Sequence, residues 1–181
     1  IGGDLVTVRA LMGPGVDPHS YRQTRTDIVA MTRADLVLHH GLYLEAQMED
    51  FLHDLGRKRR VVAVADTLSH DLLRAHDTYQ NKFDPHVWMN PELWARVVGA
   101  VQQALTDAAP DHADAFAAGA AAHIADISRL SAYAADALAR VPEPQRILVT
   151  AHDAFGYFGD QYGMDVLGIQ GISTESEAGL N

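Results

Sequence analysis

The chain has 181 residues, 48% of them apolar, and a formal net charge of −10 from 24 acidic against 14 basic side chains. That apolar content supplies one sizeable core or two small ones and excludes a disordered chain, while the negative charge disfavours a phosphate backbone as partner. The absence of cysteine removes a thiolate metal site, a disulfide framework and a thiol nucleophile, which leaves imidazole and carboxylate as the strong ligands.

In chain order, Ile1-Gly2-Gly3-Asp4 reads as the tail of a helix and a turn, and Leu5 to Leu11 as a strand. A first helix is expected from Thr24, where Thr24-Arg25-Thr26-Asp27 offers caps and Ile28, Met31 and Ala34 share a face. Strands follow at Asp35 to Leu38 and Val61 to Val64. Between them Gly41-Leu42-Tyr43-Leu44-Glu45 opens a helix through Met48, Phe51 and Leu52 to Gly56. The one basic run, Arg57-Lys58-Arg59-Arg60, falls at that helix's carboxyl end, where cations complement the dipole. Pro91 suits the first turn of a third helix carrying Trp94, Val97, Val98, Val101 and Leu105.

Residues 110–141 differ in kind. Phe116, Ala120, Ile124, Ile127, Ala134, Leu138 and Val141 recur at three- and four-residue intervals, so one helix of roughly thirty residues, about 45 Å long, is expected, with a hairpin broken near Gly119 as the alternative. Pro142-Glu143-Pro144 ends it. A strand at Arg146 to Thr150, a helix from Ala154 and a strand at Asp165 to Gly168 complete the pattern. The alternation of strand and helix predicts an α/β fold with parallel sheets. Three parts result: an amino-terminal lobe over residues 1–109, a linking helix over 110–141, and the start of a carboxyl-terminal lobe over 142–181. No apolar run is long enough to span a bilayer, no leader peptide opens the chain, and both ends read as cut from a longer fold.

Three of the ten histidines stand apart. His19 and His86 share the frame Asp-Pro-His (Asp17-Pro18-His19, Asp84-Pro85-His86), and His152 follows a buried-strand pattern. Proline fixes its own φ and pushes the preceding residue to extended geometry, so each imidazole is delivered from a stiff loop. A residue at the carboxyl end of a parallel strand lies where open α/β sheets place ligands. Neutral imidazole is the commonest protein ligand for borderline divalent ions, so the three read as one metal site. A lone histidine is more often a surface or packed residue, and His39, His40, His53, His112 and His123 default to that, as do His70 and His76 in a solvated loop. Trp88 and Trp94 read as packing between the third helix and the sheet, and Tyr43 and Glu45 as packing and a helix start. Asp153 either orients an imidazole or caps the helix after it.

Gly13-Pro14-Gly15-Val16-Asp17-Pro18-His19-Ser20-Tyr21, Ala34-Asp35-Leu36-Val37 with Gly41-Leu42-Tyr43-Leu44-Glu45, Asp84-Pro85-His86-Val87-Trp88, Thr150-Ala151-His152-Asp153-Ala154-Phe155-Gly156-Tyr157-Phe158 and Gly168-Ile169-Gln170-Gly171-Ile172-Ser173 resemble, in order, the cluster A-I metal receptors of ABC importers, the TroA-like zinc and manganese binding proteins. The resemblance covers nearly the whole chain. It implies two α/β lobes joined by one long rigid helix, with a divalent ion, Zn²⁺ or Mn²⁺, held between them by His19 and His86 from one lobe and His152 from the other. Glutamate in the third position goes with manganese receptors, so His152 favours zinc. It further implies a non-enzymatic receptor, periplasmic or extracellular and in some relatives lipid-anchored, that hands the ion to an ABC permease. The family's first strand and helix and most of its second lobe have no counterpart here. The fourth ligand is therefore expected beyond Asn181, since Glu175 and Glu177 do not match its position. A zinc-dependent hydrolase would also use three histidines and an open position, and a metal-binding surface adhesin would share the scaffold.

Overall fold

The protein is described from a computed structural model over residues 1–76, 80–172 and 174. Helix α1 (Arg25–Arg33) starts where its capping box predicts: the Thr24 hydroxyl accepts the Asp27 N–H at 3.3 Å and the Asp27 carboxylate accepts the Thr24 N–H at 2.8 Å. Strand β1 (Val37–His39) pairs in parallel with β2 (Val61–Ala63), with α2 (Glu49–Gly56) as the crossover. Helix α3 (Pro91–Ala108) has Pro91 in its first turn, and the Asn90 side chain accepts the N–H groups of Glu92 and Leu93. After α4 (Ala113–Leu138), β3 (Ile147–His152), α5 (Gly156–Tyr162) and β4 (Asp165–Gln170) form a second parallel unit, in which Ile147 lies opposite Asp165 and His152 opposite Gln170. The sheets are thus parallel on both sides of the long helix, as the alternation predicts.

Two apolar clusters fix this arrangement. Met31, Val37, Met48, Leu52 and Leu55 pack α1 and α2 onto β1. Val64, Ala65, Leu68, Val87, Leu93 and Val97 pack α3 onto the loops after β2, and Tyr157 of α5 is buried with them although it comes from the far side of α4 in sequence. Helix α4 runs without a break, which excludes the hairpin. Phe116 and Ala120 bury its first half, whereas Leu130 and Tyr133 further along are exposed. Its 26 residues make it about 39 Å long. Gly119 is no breaker: a Cβ there would come within 2.5 Å of the Ile1 carbonyl oxygen, so the glycine admits the chain's first residue against the helix.

Two expectations fail. Leu5 to Leu11 forms no strand: Gly3–Leu5 is a 3-10 turn, Val6 is extended, and Val8 is 83% exposed. An apolar run becomes a strand only when a neighbour takes its N–H and C=O groups, and among the described residues β1 pairs with β2 alone. Nor does a helix open at Gly41. Gly41, Leu42 and Tyr43 all have positive φ (87°, 51° and 67°), and regular helix starts only at Glu49 after a 3-10 turn over Ala46–Met48. Side chains hold this left-handed turn. Glu45 accepts the N–H groups of His40 and Gly41 at 2.7 and 3.1 Å, and Asp66 accepts that of Leu42 at 2.7 Å. At least one position must be glycine, since a Cβ on Gly41 would meet the Asp66 carboxylate at 2.5 Å. No helix among the described residues is long and apolar enough to cross a membrane.

Candidate metal centre

His19, His86 and His152 come from three separate loops and strand ends, and the fold brings all three together. His86 is 1% exposed and His19 4%. Nε2 of His86 lies 3.3 Å from Nε2 of His19 and 3.1 Å from Nε2 of His152, and one nitrogen of each ring falls within 4.8 Å of the others. A tetrahedral ion with bonds of about 2.0–2.1 Å separates its ligand atoms by about 3.3–3.4 Å. The two short separations therefore have the span of one coordination polyhedron.

The hydrogen bonds behind the rings decide which nitrogen faces inward. Asp84 Oδ1 accepts both the His86 backbone N–H at 2.9 Å and its Nδ1–H at 2.7 Å. The Gly171 carbonyl accepts Nδ1–H of His152 at 2.9 Å. A carboxylate and a carbonyl can only accept, so both rings carry the proton on Nδ1 when neutral and point the Nε2 lone pair into the cluster. Asp17 Oδ1 accepts the His19 N–H at 3.0 Å, and its other oxygen takes the hydroxyls of Ser20 and of Thr174, which ties the first Asp-Pro-His loop to the segment after β4.

Lone pairs of buried imidazoles crowded in this way resist protonation. Burial first, then the neighbouring His86, pushes the His19 pKa down to about 4, with Asp17 acting weakly in the other direction. His152 is lowered by the same two causes, against which the Gly171 hydrogen bond pulls. In an unfolded chain a histidine takes up its proton near pH 6.5, so the unfolded state binds more protons than the native one between about pH 6.5 and 4. The contribution of His19 to metal-free stability is complete above that window and is lost as pH falls through it. Within the window the folded site keeps His19 neutral and ready for a cation.

Several supports were not legible in the sequence. The aspartate of the second Asp-Pro-His frame, marked in the sequence only as the residue that proline pushes to extended geometry, is the acceptor that fixes the His86 tautomer. His40 is half-buried, its Nε2–H donates to the Pro85 carbonyl at 2.7 Å, and its ring lies between Trp88 and Trp94. Trp88 also stands edge-on to the His86 ring at 5.2 Å, so it walls the site as well as packing α3. Asp153 donates its N–H to the Gln170 carbonyl at 2.9 Å, and the acceptor on the His152 ring is the Gly171 carbonyl. Gly168 lets β4 approach closely there, since a Cβ on it would come within 2.8 Å of the Asp153 Cα. A cavity of about 540 Å³ lined by His39, Tyr43, Glu45, His53 and Lys82 lies elsewhere and includes none of the three histidines. Glu175 and Glu177 lie outside the described residues.

The model of the family described as ZnuA, zinc-uptake complex component A periplasmic, matches residues 1–181. The chain belongs to this family. Among relatives, the manganese-binding lipoprotein MntA of Bacillus subtilis (strain 168) is 44% identical over 181 residues, covering 99% of this chain and 58% of MntA. The zinc-binding protein TroA of Treponema pallidum (strain Nichols) is 41% identical over 173 residues, covering 96% of this chain and 56% of TroA. The solved structure of the periplasmic zinc-binding protein TroA superposes with a TM-score of 0.94 at 40% identity, over 99% of this chain and 64% of that one. The fold expected from the resemblance, two parallel-sheet units about one long helix, is the fold of this ZnuA-family chain. It spans little more than half the length of these curated relatives.

Proposed function

We propose that His19, His86 and His152 are protein ligands of one divalent ion, Zn²⁺ or Mn²⁺, which the protein captures outside the cytoplasmic membrane and delivers to an ABC permease. The observation that carries this reading is the convergence of the three Nε2 atoms, with two tautomers fixed by Asp84 and Gly171 so that lone pairs meet at 3.1 Å. Without a cation such an arrangement is repulsive; with one it is a coordination sphere. In this reading residues 1–109 and 142–181 belong to two lobes joined by residues 110–141, and the ion lies between them. An all-imidazole set favours zinc over manganese, because affinity for nitrogen ligands rises along the divalent series from manganese. The family description and the names of MntA and TroA support a binding protein rather than a hydrolase. Three histidines leave a fourth position to water or to a carboxylate; the second lobe's continuation past Asn181 is the source we propose.

Titration of metal-free protein with Zn²⁺ and with Mn²⁺ against a chelator tests the reading. One ion per chain is expected, zinc the tighter. Because His19 stays neutral to about pH 4, zinc affinity at pH 6 should lie within about tenfold of that at pH 7.5, about 1.4 kcal/mol, and collapse towards pH 4. Absence of stoichiometric binding at pH 7.5 contradicts the function, and a loss by pH 6 as large as the roughly fiftyfold that three unperturbed imidazoles would give contradicts the account of His19.

A further inference from the structure

Helix α5 follows His152 by only a few residues, and one of its faces is turned onto the loops that carry His86. Tyr157, Asp160 and Gln161 share that face at the i, i+3 and i+4 positions. Tyr157 is 2% exposed and packs with Val87, Leu93 and Val97. Its hydroxyl donates to the Asp84 carbonyl at 2.9 Å and accepts the Arg74 backbone N–H at 3.0 Å. Asp160 takes the Arg74 guanidinium at 2.6 Å, and Gln161 accepts the Asn90 side-chain amide at 2.9 Å.

Asp84 is the centre of this arrangement. Its carboxylate holds the His86 ring, its carbonyl holds Tyr157, and its own N–H donates to the Arg74 carbonyl at 2.9 Å. The backbone between Tyr157 and His152 is compact, with the Ala154 N–H bonded to the His152 carbonyl at 2.9 Å. A short rigid path thus leads from His86 through Asp84 and Tyr157 to His152.

We infer that this face of α5, with Tyr157 as its principal member, is the positioning element that sets His152 in register with His86. Tyr157 is not one of the clustered ligand residues. It acts on affinity by holding the two imidazoles at coordination distance. The inference rests on the three-histidine reading and names what regulates that site.

A double-mutant cycle on Zn²⁺ binding, read by chelator competition, tests it. Tyr157→Phe, which keeps the ring and removes the hydroxyl, should weaken Zn²⁺ binding ten- to a hundredfold and speed dissociation more than it slows association. In a His152→Ala background the same change should alter affinity less than threefold, because no second imidazole remains to be placed. A merely structural role would lower both proteins equally, and losses that multiply across the two backgrounds would overturn the inference while leaving the ligand assignment intact. Wild-type protein that bound no Zn²⁺ would instead overturn the reading beneath it. Should Tyr157→Phe not fold, Asp160→Ala removes the exposed tie of the same face and enters the cycle with a smaller expected loss, about two- to fivefold, that again disappears in the His152→Ala background.

Discussion

His86→Ala should lower affinity for Zn²⁺ at least about a thousandfold, about 4 kcal/mol, when measured by chelator competition on protein whose fold is verified by circular dichroism. His86 is the middle ring. Its Nε2 makes both short approaches, to His19 at 3.3 Å and to His152 at 3.1 Å. Without it the remaining two imidazoles have no third histidine, carboxylate or thiolate among the described residues near enough to complete the group. A borderline ion held by two nitrogens and water keeps little of its advantage over the hydrated ion. His123→Ala, an exposed histidine on α4 far from the cluster in sequence, is the control. A loss under tenfold for His86→Ala would remove that histidine from the ligand set.

Asp84→Ala should be the next most damaging change, and it acts without touching an ion. The carboxylate accepts the backbone N–H and the Nδ1–H of His86, both where the side chain is almost wholly enclosed. Leaving two buried donors unsatisfied costs about 1–3 kcal/mol for each, so urea unfolding of the metal-free protein should show a loss of about 2–6 kcal/mol. Metal affinity should fall about ten- to a hundredfold as the ring loses its fixed tautomer. Asp84→Asn keeps an acceptor oxygen and should recover most of the stability and part of the affinity. Unchanged unfolding and unchanged affinity in Asp84→Ala would show that the ring is held by packing alone.

The three candidate ligands were legible because their frames are local: proline stiffens Asp17-Pro18-His19 and Asp84-Pro85-His86, and an apolar strand pattern precedes His152. The helix starts at Thr24 and Pro91 were legible for the same reason, since a capping box and a first-turn proline are local signals. What escaped notice depends on neighbours distant in sequence or on backbone atoms that every residue carries. The acceptor behind His152 is a main-chain carbonyl nineteen residues on, which no residue type announces. Leu5 to Leu11 has a strand's composition but, among the described residues, no strand pairs with it. The left-handed turn at Gly41 to Tyr43 overrides a helical pattern because Glu45 and Asp66 collect its N–H groups, and only the second of these is remote. Tyr157 lies in a segment whose sequence announces only a helix, and its link to Asp84 crosses 73 residues.

The central claim is that one ion is bound by three imidazole nitrogens, and X-ray absorption on zinc-loaded protein, repeated on His19→Ala, His86→Ala and His152→Ala, tests it most directly. The wild-type spectrum should show three nitrogen scatterers with imidazole multiple scattering at about 2.0–2.1 Å and a fourth, oxygen ligand without that signature, each variant losing one imidazole. A wild-type zinc shell made of oxygen alone, or one unaltered by the three substitutions, would contradict the account.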